Sequence, residues 1–375
     1  MKQGIMILKT CLLAMIFCVP DTCPAQGREI VVSNNSDIDR TGEMVEICLS
    51  ELNFSASFIL VDSEGKEIPC QLTNSRRTMI FPVELRAHSS KTYQLKQGVP
   101  SPVAAKTAAR HVPERKDDFA WENDFAAYRM YGPALARENP GNGVDLWLKC
   151  TDSLIVDKFY ADELEKGLSY HVNHGLGLDC YSVGRTLGAG GIAPYTSQLW
   201  IGKHYSRYRV VENGPLRSVF VLIYDSVKID SRYYRQMIEI TADAGSILNK
   251  AVVRYEGMDD SLHLAAGIVL HSKKGALFSS PNGLIAYAED AVSDAGIPQG
   301  RNYVGVFVPQ PETKIVEENN HLLIVAPYAA NSDFTYWFGG GWSRWKFTGD
   351  NDWINAIEVF ARARRSPLEL KIRHL

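Results

Sequence analysis

The chain has 375 residues and a mass of 41.8 kDa, which suits one large domain or two domains of ordinary size. Hydrophobic residues make up 45% of it and charged residues 22%, a composition that excludes wholesale disorder, a collagen-like repeat and a long coiled coil. Since 40 basic residues face 43 acidic ones, the formal net charge is −3, and we expect no nucleic-acid partner held by a phosphate-binding surface.

The first 26 residues predict a cleaved export signal. Lys2 and Lys9 flank a short basic start, residues 11–19 form an apolar run, and small residues surround Ala25. The apolar run is about half the length of roughly 20 residues that a membrane-spanning helix needs. We therefore predict a periplasmic or secreted protein without membrane insertion.

Apolar residues alternate with period two through most of the mature chain, as in β-strands. In residues 143–150, Val144, Leu146 and Leu148 fall on one face of such a strand. Residues 218–225 are apolar on both faces, which is typical of a strand between two layers. Further strand-like segments occur at 77–85, 237–241, 251–255, 262–270, 303–308 and 322–326.

Helical periodicity is convincing only at residues 351–364, where Trp353, Ile357 and Phe360 recur on one side and Pro367 follows. Many short strands with one helix predict an all-β sandwich or barrel. A segment rich in proline and small residues begins near residue 99 and is typical of a linker. The predicted organisation is a signal peptide at 1–26, an N-terminal β region at 27–98, a linker at 99–120 and a catalytic β domain at 121–375.

Polar and chemically active side chains are concentrated between residues 111 and 191. This region holds a Trp-Glu-Asn-Asp block at 121–124, a Tyr-His-Val-Asn-His-Gly block at 170–175 and a glycine-rich segment at 184–191. Loops that carry such residues on a β scaffold are where binding and catalysis are commonly found. We therefore looked for the functional site here.

These blocks, with Glu-Asn-Gly-Pro-Leu-Arg at 212–217 and Gly-Gly-Gly-Trp-Ser at 339–343, resemble the domain-of-unknown-function 4861 family over nearly the whole mature chain. The resemblance implies an all-β protein: a large β-supersandwich similar to galactose mutarotase, with a small N-terminal β region and one C-terminal helix. It also implies an exported, dehydratase-like protein of polysaccharide-utilisation systems that acts on acidic oligosaccharides alongside unsaturated-uronyl hydrolases. Where the family's His-Gly segment usually carries acidic residues, this chain has Val172 and Leu176.

The implied reaction, β-elimination from a uronic acid, removes the proton at C5 and expels the oxygen at C4. It needs a group that neutralises the carboxylate, a base for the proton and an acid for the leaving oxygen. Histidine and tyrosine can act as base or acid, and an arginine can hold a carboxylate through two parallel hydrogen bonds. The predicted catalytic residues are His171, His174, Tyr181 and Arg129.

The surrounding polar and aromatic residues are predicted to bind the sugar: Trp121, Glu122, Asn123, Asp124, Tyr131, Asp179 and Arg185. Core packing is the alternative for the two aromatic rings, and capping of the following segment or a structural calcium site is the alternative for residues 122–124. The spacing of the two histidines nominates no further metal ligand, and the glycine-rich segment lacks the strand and helix of a nucleotide site. We predict no metal ion and no other cofactor.

The predicted activity is 4,5-dehydration of the non-reducing-end uronic acid of an acidic oligosaccharide, giving an unsaturated uronyl end. A polysaccharide lyase is the first alternative, since the same elimination cleaves the chain when the C4 oxygen is glycosidic. Hydrolysis would need two carboxylates on either side of the bond, and Glu122, Asp124 and Asp179 are available. The remaining alternatives are a sugar epimerase of the mutarotase type and a non-catalytic protein that binds glycans through Trp121, Trp147 and Trp342.

Overall fold

A computed structural model describes residues 28–52, 57–73, 77–138 and 140–374. The predicted signal peptide at residues 1–26 lies outside these described residues. About 52% of the described residues are in strands and 11% in helices, which confirms the predicted all-β class. No helix in the described residues combines the length and apolar character needed to cross a bilayer.

The elements follow the chain in this order. The first strands are β1 (Arg28–Asn34), β2 (Arg40–Cys48), β3 (Phe58–Asp62), β4 (Glu67–Ile68), β5 (Gln71–Thr73), β6 (Thr78–Leu85) and β7 (Ser89–Gln97). They are followed by β8 (Ala108–Val112), β9 (Asp118–Glu122), β10 (Ala126–Met130), β11 (Asp145–Lys149), β12 (Gly177–Asp179) and β13 (Ala189–Tyr195). Next come β14 (Arg207–Asn213), β15 (Arg217–Ile229), β16 (Arg232–Asp243), β17 (Asn249–Glu256), β18 (Leu262–Val269) and β19 (Ala276–Ser280). The final strands are β20 (Leu284–Val292), β21 (Pro298–Phe307), β22 (Lys314–Glu318), β23 (His321–Tyr328), β24 (Phe334–Trp342) and β25 (Glu369–His374). The α-helices are α1 (Leu49–Leu52), α2 (Val156–Lys166) and α3 (Asp350–Arg365).

The main body is a two-layer β-supersandwich. One layer is an eight-stranded antiparallel sheet with the order β14-β15-β16-β17-β24-β21-β20-β19. The other layer combines a five-stranded sheet, β12-β11-β10-β9-β8, with a four-stranded sheet, β13-β18-β23-β22. The two layers share one hydrophobic core, in which Trp121 of the five-stranded sheet packs against Phe220 and Phe338 of the eight-stranded sheet. This architecture confirms the supersandwich that the sequence predicted.

Helix α3 confirms the helix predicted at residues 351–364. It covers the outer face of the eight-stranded sheet, where Trp353 stacks on Tyr303 with ring centroids 6.0 Å apart. Helix α2 was not predicted from the sequence. Its Phe159 and Tyr160 pack against Trp147 on the outer face of the five-stranded sheet, so all five residues of β11 are buried.

The N-terminal region has two sheets of its own, β25-β1-β7-β3-β4 and β2-β6-β5, around a separate hydrophobic core. Strand β25, within the range predicted as the catalytic domain, pairs along the whole of β1 except its last residue. Residues 99–107 contain no helix or strand. Strand β8 and the first three residues of β9 fall within the segment predicted as a linker. Their side chains, such as the fully buried Phe119, belong to the five-stranded sheet instead.

Candidate functional site

Arg129 lies in a buried ionic cluster, and its guanidinium is bonded to interior partners. Its side chain on β10 is 4% exposed. Its Nε donates to Asp145 Oδ2 at 2.8 Å and its Nη2 donates to Asp179 Oδ2 at 2.9 Å, while Nη1 is 3.7 Å from Asp118 Oδ2. The antiparallel register of β9 to β12 places these carboxylates around one guanidinium. The predicted use of Arg129 and Asp179 for substrate contact is therefore wrong for this conformation: each is occupied by an interior partner.

The cluster has three carboxylates for one guanidinium, and the excess negative charge is unfavourable because it is buried. Burial raises the pKa of Asp118 from 3.8 to about 6, although the charge of Arg129 opposes this. Burial and the negative charge of Asp145 raise the pKa of Asp179 well above its usual value. Since one oxygen of Asp118 has no hydrogen-bond partner, this residue is the best placed to take up a proton.

We expect Asp118→Asn to stabilise the protein at neutral pH. Between pH values of about 4 and 6, Asp118 is more often protonated in the folded state than in the unfolded state. The free energy of unfolding therefore decreases as the pH rises through this range. An amide carries no charge and removes the penalty, on the order of 2 kcal/mol at pH 7. Urea unfolding of both proteins from pH 4 to pH 7 measures the difference, and a difference that does not change with pH would contradict the raised pKa.

Glu122 caps helix α2. Its carboxylate accepts hydrogen bonds from the backbone N–H groups of Ile155 and Val156, each at 2.8 Å, and from Lys149 Nζ at 2.8 Å. The carboxylate side chain is 2% exposed. The capping alternative from the sequence is thus correct for Glu122, although the helix it caps begins more than thirty residues later in the chain.

Asn123 and Asp124 connect the five-stranded sheet to the turn between β16 and β17. The Asn123 amide donates to the carbonyl oxygens of Asp243 (2.9 Å) and Ser246 (2.7 Å). Asp124 Oδ1 accepts from the Gly245 backbone N–H at 2.8 Å. These bonds hold the two layers together, so the structure gives the block at 121–124 a structural role instead of the predicted contact with a sugar.

The tryptophans proposed as platforms for sugar stacking belong to the core. Trp121, Trp147 and Trp342 are each 1% exposed. Trp121 stacks on Tyr128 at 5.4 Å, and Tyr131, 8% exposed, packs its ring against the Arg129 guanidinium. This placement contradicts the alternative of a non-catalytic protein that binds glycans through these three tryptophans, and it confirms core packing for Trp121 and Tyr131.

The two predicted histidines lie on the loop after α2 but differ in their surroundings. His171 has a side chain 32% exposed, and its Nδ1 is 3.0 Å from the Asp179 carbonyl oxygen. Because a carbonyl only accepts, the neutral His171 ring has its proton on Nδ1 and a lone pair on Nε2. His174 is exposed, and its Nε2 lies 3.1 Å from the Ser169 carbonyl oxygen, so its neutral ring has the lone pair on Nδ1. Either ring therefore has a nitrogen that can accept a proton, and of the two His171 is the one partly buried beside Asp179.

Tyr181 lies beside a histidine that the sequence did not single out. Its ring is edge-on to His271, with centroids 5.0 Å apart, and its buried hydroxyl has no hydrogen-bond partner. His271 Nδ1 is 2.6 Å from Glu289 Oε1, and its Nε2 faces the Ser182 carbonyl oxygen. Both ring nitrogens face acceptors, an arrangement that favours the protonated imidazolium. Burial lowers the pKa of His271, but the hydrogen bond and charge of Glu289 outweigh it and raise the pKa overall.

Neighbouring strands add further polar groups on the same face. Asn302 lies directly opposite Glu289, and Trp342 lies opposite Asn302 on the next strand, so the three side chains share one face of the eight-stranded sheet. Asn302 is 3% exposed, and its Oδ1, like the Tyr181 hydroxyl, has no partner. These two buried polar atoms without partners, on residues linked through His271 and Glu289, are candidates for contact with a ligand.

His171 contacts the same chain segment as His271: its Nδ1 faces the Asp179 carbonyl oxygen, and His271 Nε2 faces the Ser182 carbonyl oxygen. Asp294, just after β20, has its Oδ2 4.0 Å from His171 Nδ1. Cys180 belongs to this segment, and burial with the charges of Asp179, Asp145, Asp294 and Glu289 raises the pKa of its thiol to about 12. We call His171, Tyr181, His271, Glu289 and Asn302 the Tyr181 site.

The glycine-rich segment is needed for chain geometry. Gly188 and Gly190 have φ values of 62° and 114°. A Cβ on Gly188 would lie 2.2 Å from the Val144 carbonyl oxygen, and one on Gly190 would lie 2.4 Å from the Phe338 Cβ. Only glycine fits where β13 crosses so close to its neighbours. Arg185, predicted to bind substrate, is exposed on the loop before them.

A separate cavity of about 690 Å³ lies between the N-terminal region and helix α3. Phe125, Trp337 and Phe360 contribute aromatic surface to it, and Asp124 is also in its lining. Its Arg217 is paired with Glu46 and Asp243. The charges are thus satisfied within the junction, and the described lining includes neither predicted histidine. Among the described residues, no group of three histidine, cysteine or acidic side chains is placed to hold a metal ion.

The fold defines this molecule as a two-layer β-supersandwich protein with a buried polar cluster at one end of its core. The chain belongs to the family described as domain of unknown function DUF4861, whose model matches residues 32–370. This membership confirms the family predicted from the sequence blocks.

A curated relative and two solved structures are similar to the chain. The relative, "Uncharacterized protein P7" of Formosa agariphila, is 28% identical over 380 residues, covering 93% of this chain and 94% of its own. A protein in the glycosyl hydrolase family 38 from Enterococcus faecalis superposes with a TM-score of 0.51 at 10% identity. That match covers 94% of this chain but 48% of the other, so this chain spans about half its length and shares its fold. An alpha-mannosidase from Enterococcus faecalis V583 gives a TM-score of 0.47 at 9% identity, covering 93% and 46% of the two chains.

Proposed function

We propose that this protein is a carbohydrate-active enzyme that dehydrates the non-reducing-end uronic acid of acidic oligosaccharides by β-elimination. One observation carries the proposal: the buried Tyr181 hydroxyl has no partner and lies beside the imidazolium of His271. A partly exposed imidazole, His171, contacts Asp179 two residues before Tyr181. A candidate acid and a candidate base thus flank the same short segment, residues 179–182, and elimination requires both.

Each residue of the Tyr181 site has a role in this scheme. His171 Nε2 takes the proton from C5, and the electron pair left behind forms the C4–C5 double bond. The C4–O4 bond breaks, and the oxygen leaves as water with the proton of the Tyr181 hydroxyl. Burial raises the pKa of Tyr181 well above its usual value, which keeps this proton in place at neutral pH. The His271 imidazolium stabilises the phenolate that remains.

The product ends in an unsaturated uronyl residue, the class of substrate that unsaturated-uronyl hydrolases remove. We therefore propose that the protein works beside such hydrolases, in the periplasm or outside the cell. No metal ion or other cofactor enters the scheme. The lyase alternative uses the same groups, with a glycosidic oxygen in place of the C4 hydroxyl.

Defined oligosaccharides with a terminal uronic acid, incubated with the purified protein and analysed by mass spectrometry, test the proposal. Loss of one water with new ultraviolet absorbance is the expected result. Chain scission with unsaturation would replace it by the lyase alternative. An unchanged mass with altered ring-proton signals would replace it by an epimerase. No change with any uronyl substrate, from a folded protein, would overturn it.

We expect His171→Gln to reduce the elimination rate by at least about 10²-fold, because the amide cannot accept the C5 proton. His174→Gln is the matched control on the same loop, and we expect it to change the rate by much less, since the His174 ring is exposed and is not part of the Tyr181 site. Thermal midpoints of both variants should stay close to that of the wild type. Equal loss of rate in both variants would assign the effect to loop structure instead of proton transfer.

A further inference from the structure

With Arg129 occupied in the interior, another group has to recognise the substrate carboxylate. Arg344 follows β24 and is exposed. Its Nη1 donates to Gln299 Oε1 at 2.8 Å, and its Nη2 donates to the Pro298 carbonyl oxygen at 3.0 Å. The guanidinium carbon lies 5.5 Å from the ring centroid of Trp342. These contacts hold the guanidinium in one position before any ligand arrives.

The charge of Arg344 is not neutralised by these partners. Both hydrogen-bond acceptors are neutral oxygens, and the ion pairs of the described residues do not include Arg344. The nearby Arg301 shows the contrast, since it pairs with Asp290 and Asp350. A preorganised guanidinium without a carboxylate partner has both charge and N–H groups available for an anion.

Arg344 is also linked to the strands and to the loop of the Tyr181 site. Its guanidinium lies over Trp342, which is opposite Asn302 in the sheet. Its charge acts on Cys150, whose Sγ donates to the Gly175 carbonyl oxygen on the loop of His171 at 3.3 Å. Burial raises the pKa of the Cys150 thiol, and the positive charge of Arg344 opposes the increase. The guanidinium is thus near both the loop and the sheet.

We propose that Arg344 binds the carboxylate of the substrate's terminal uronic acid and makes the site selective for acidic over neutral sugars. This inference rests on the proposed function, because it names the residue that recognises the substrate of that reaction. Removal of the C5 proton increases the negative charge on the carboxylate, so the contact also strengthens as elimination proceeds. Gln299 is a positioning residue, buried at 7% exposure, that holds the guanidinium over the indole.

The test measures binding in a background that cannot turn over. In Tyr181→Phe protein, calorimetry compares a trisaccharide ending in a uronic acid with the same trisaccharide after carboxyl reduction, with and without Arg344→Gln. We expect Arg344→Gln to weaken binding of the uronate by about tenfold or more and to leave binding of the reduced sugar unchanged. The affinity of Arg344→Lys for the uronate should lie between those of the Arg344 and Arg344→Gln proteins, because lysine keeps the charge but lacks the planar guanidinium. Arg207→Gln, which removes an exposed arginine on β14, is the control and should change neither affinity.

Two outcomes would overturn the assignment of Arg344. One is an unchanged preference for the uronate in Arg344→Gln. The other is an equal loss of affinity for both sugars, which would indicate a structural role. Failure of the proposed function gives a different result. In that case the uronate preference depends on Arg344, but the wild-type protein produces no unsaturated sugar.

Discussion

Replacing Tyr181 with phenylalanine is expected to lower the elimination rate by about 10²- to 10⁴-fold, the usual contribution of a positioned acid. The hydroxyl is buried and has no hydrogen-bond partner, so its removal breaks no bond in the folded protein. Stability should therefore be unchanged or slightly higher. Turnover of a uronyl oligosaccharide, followed by ultraviolet absorbance, and the thermal midpoint measure the two effects on one sample.

Tyr224→Phe is the matched control for this experiment. Tyr224 is also buried, its hydroxyl also has no partner, and it lies in the core on β15. We expect the same small change in stability with normal turnover. If Tyr181→Phe retained the wild-type rate, the acid would have to be another group, and the proposed role of Tyr181 would be wrong.

Arg129→Ala is expected to have the largest effect on stability. It leaves the carboxylates of Asp118, Asp145 and Asp179 together in the interior without a counter-charge, which costs roughly 3–5 kcal/mol in comparable buried clusters. The loss should be smaller at low pH, where the carboxylates take up protons. Urea unfolding at pH 5 and pH 7 measures both the loss and its pH dependence.

Arg207→Ala removes an arginine whose ion pair with Asp225 is exposed to solvent. Solvent screens such a pair, so we expect little change in the free energy of unfolding. An Arg129→Ala protein as stable as this control would contradict a structural role for the buried cluster. It would also restore Arg129 as a candidate for substrate binding.

The fold was predictable wherever one local pattern determined the environment. Residues 218–225 lie within β15 of the eight-stranded sheet, and 218–222 and 224 are buried, as the apolar character on both faces predicted. The periodicity at 351–364 predicted α3 correctly. Helix α2 was missed because its stability depends on a distant cap. Glu122 accepts hydrogen bonds from the first N–H groups of helix α2, and the apolar face of the helix packs against Trp147. Neither contact is visible in the eleven residues of the helix itself.

The candidate site was only partly predictable. His171 and Tyr181 belong to a dense polar block, and the structure places both at the end of the core. His271 and Glu289 stand alone among strand residues, and the contact of His271 with Ser182 spans 89 positions, so spacing gave no signal. The block at 121–124 has the residue types of an active site, but in this fold those side chains cap helix α2 and form hydrogen bonds between the two layers.

The pairing of β25 with β1 joins residues 369–374 to residues 28–33. The paired residues are far apart in the sequence. Bringing such distant segments together costs conformational entropy before any contact is gained, so pairings of this kind slow folding. Until residues 369–374 are available, β1 is an open edge strand with unpaired backbone groups, a template for pairing with other chains. The N-terminal sheet therefore stays incomplete until residues 369–374 have been synthesised, and the interval before closure is when the chain most needs protection from aggregation.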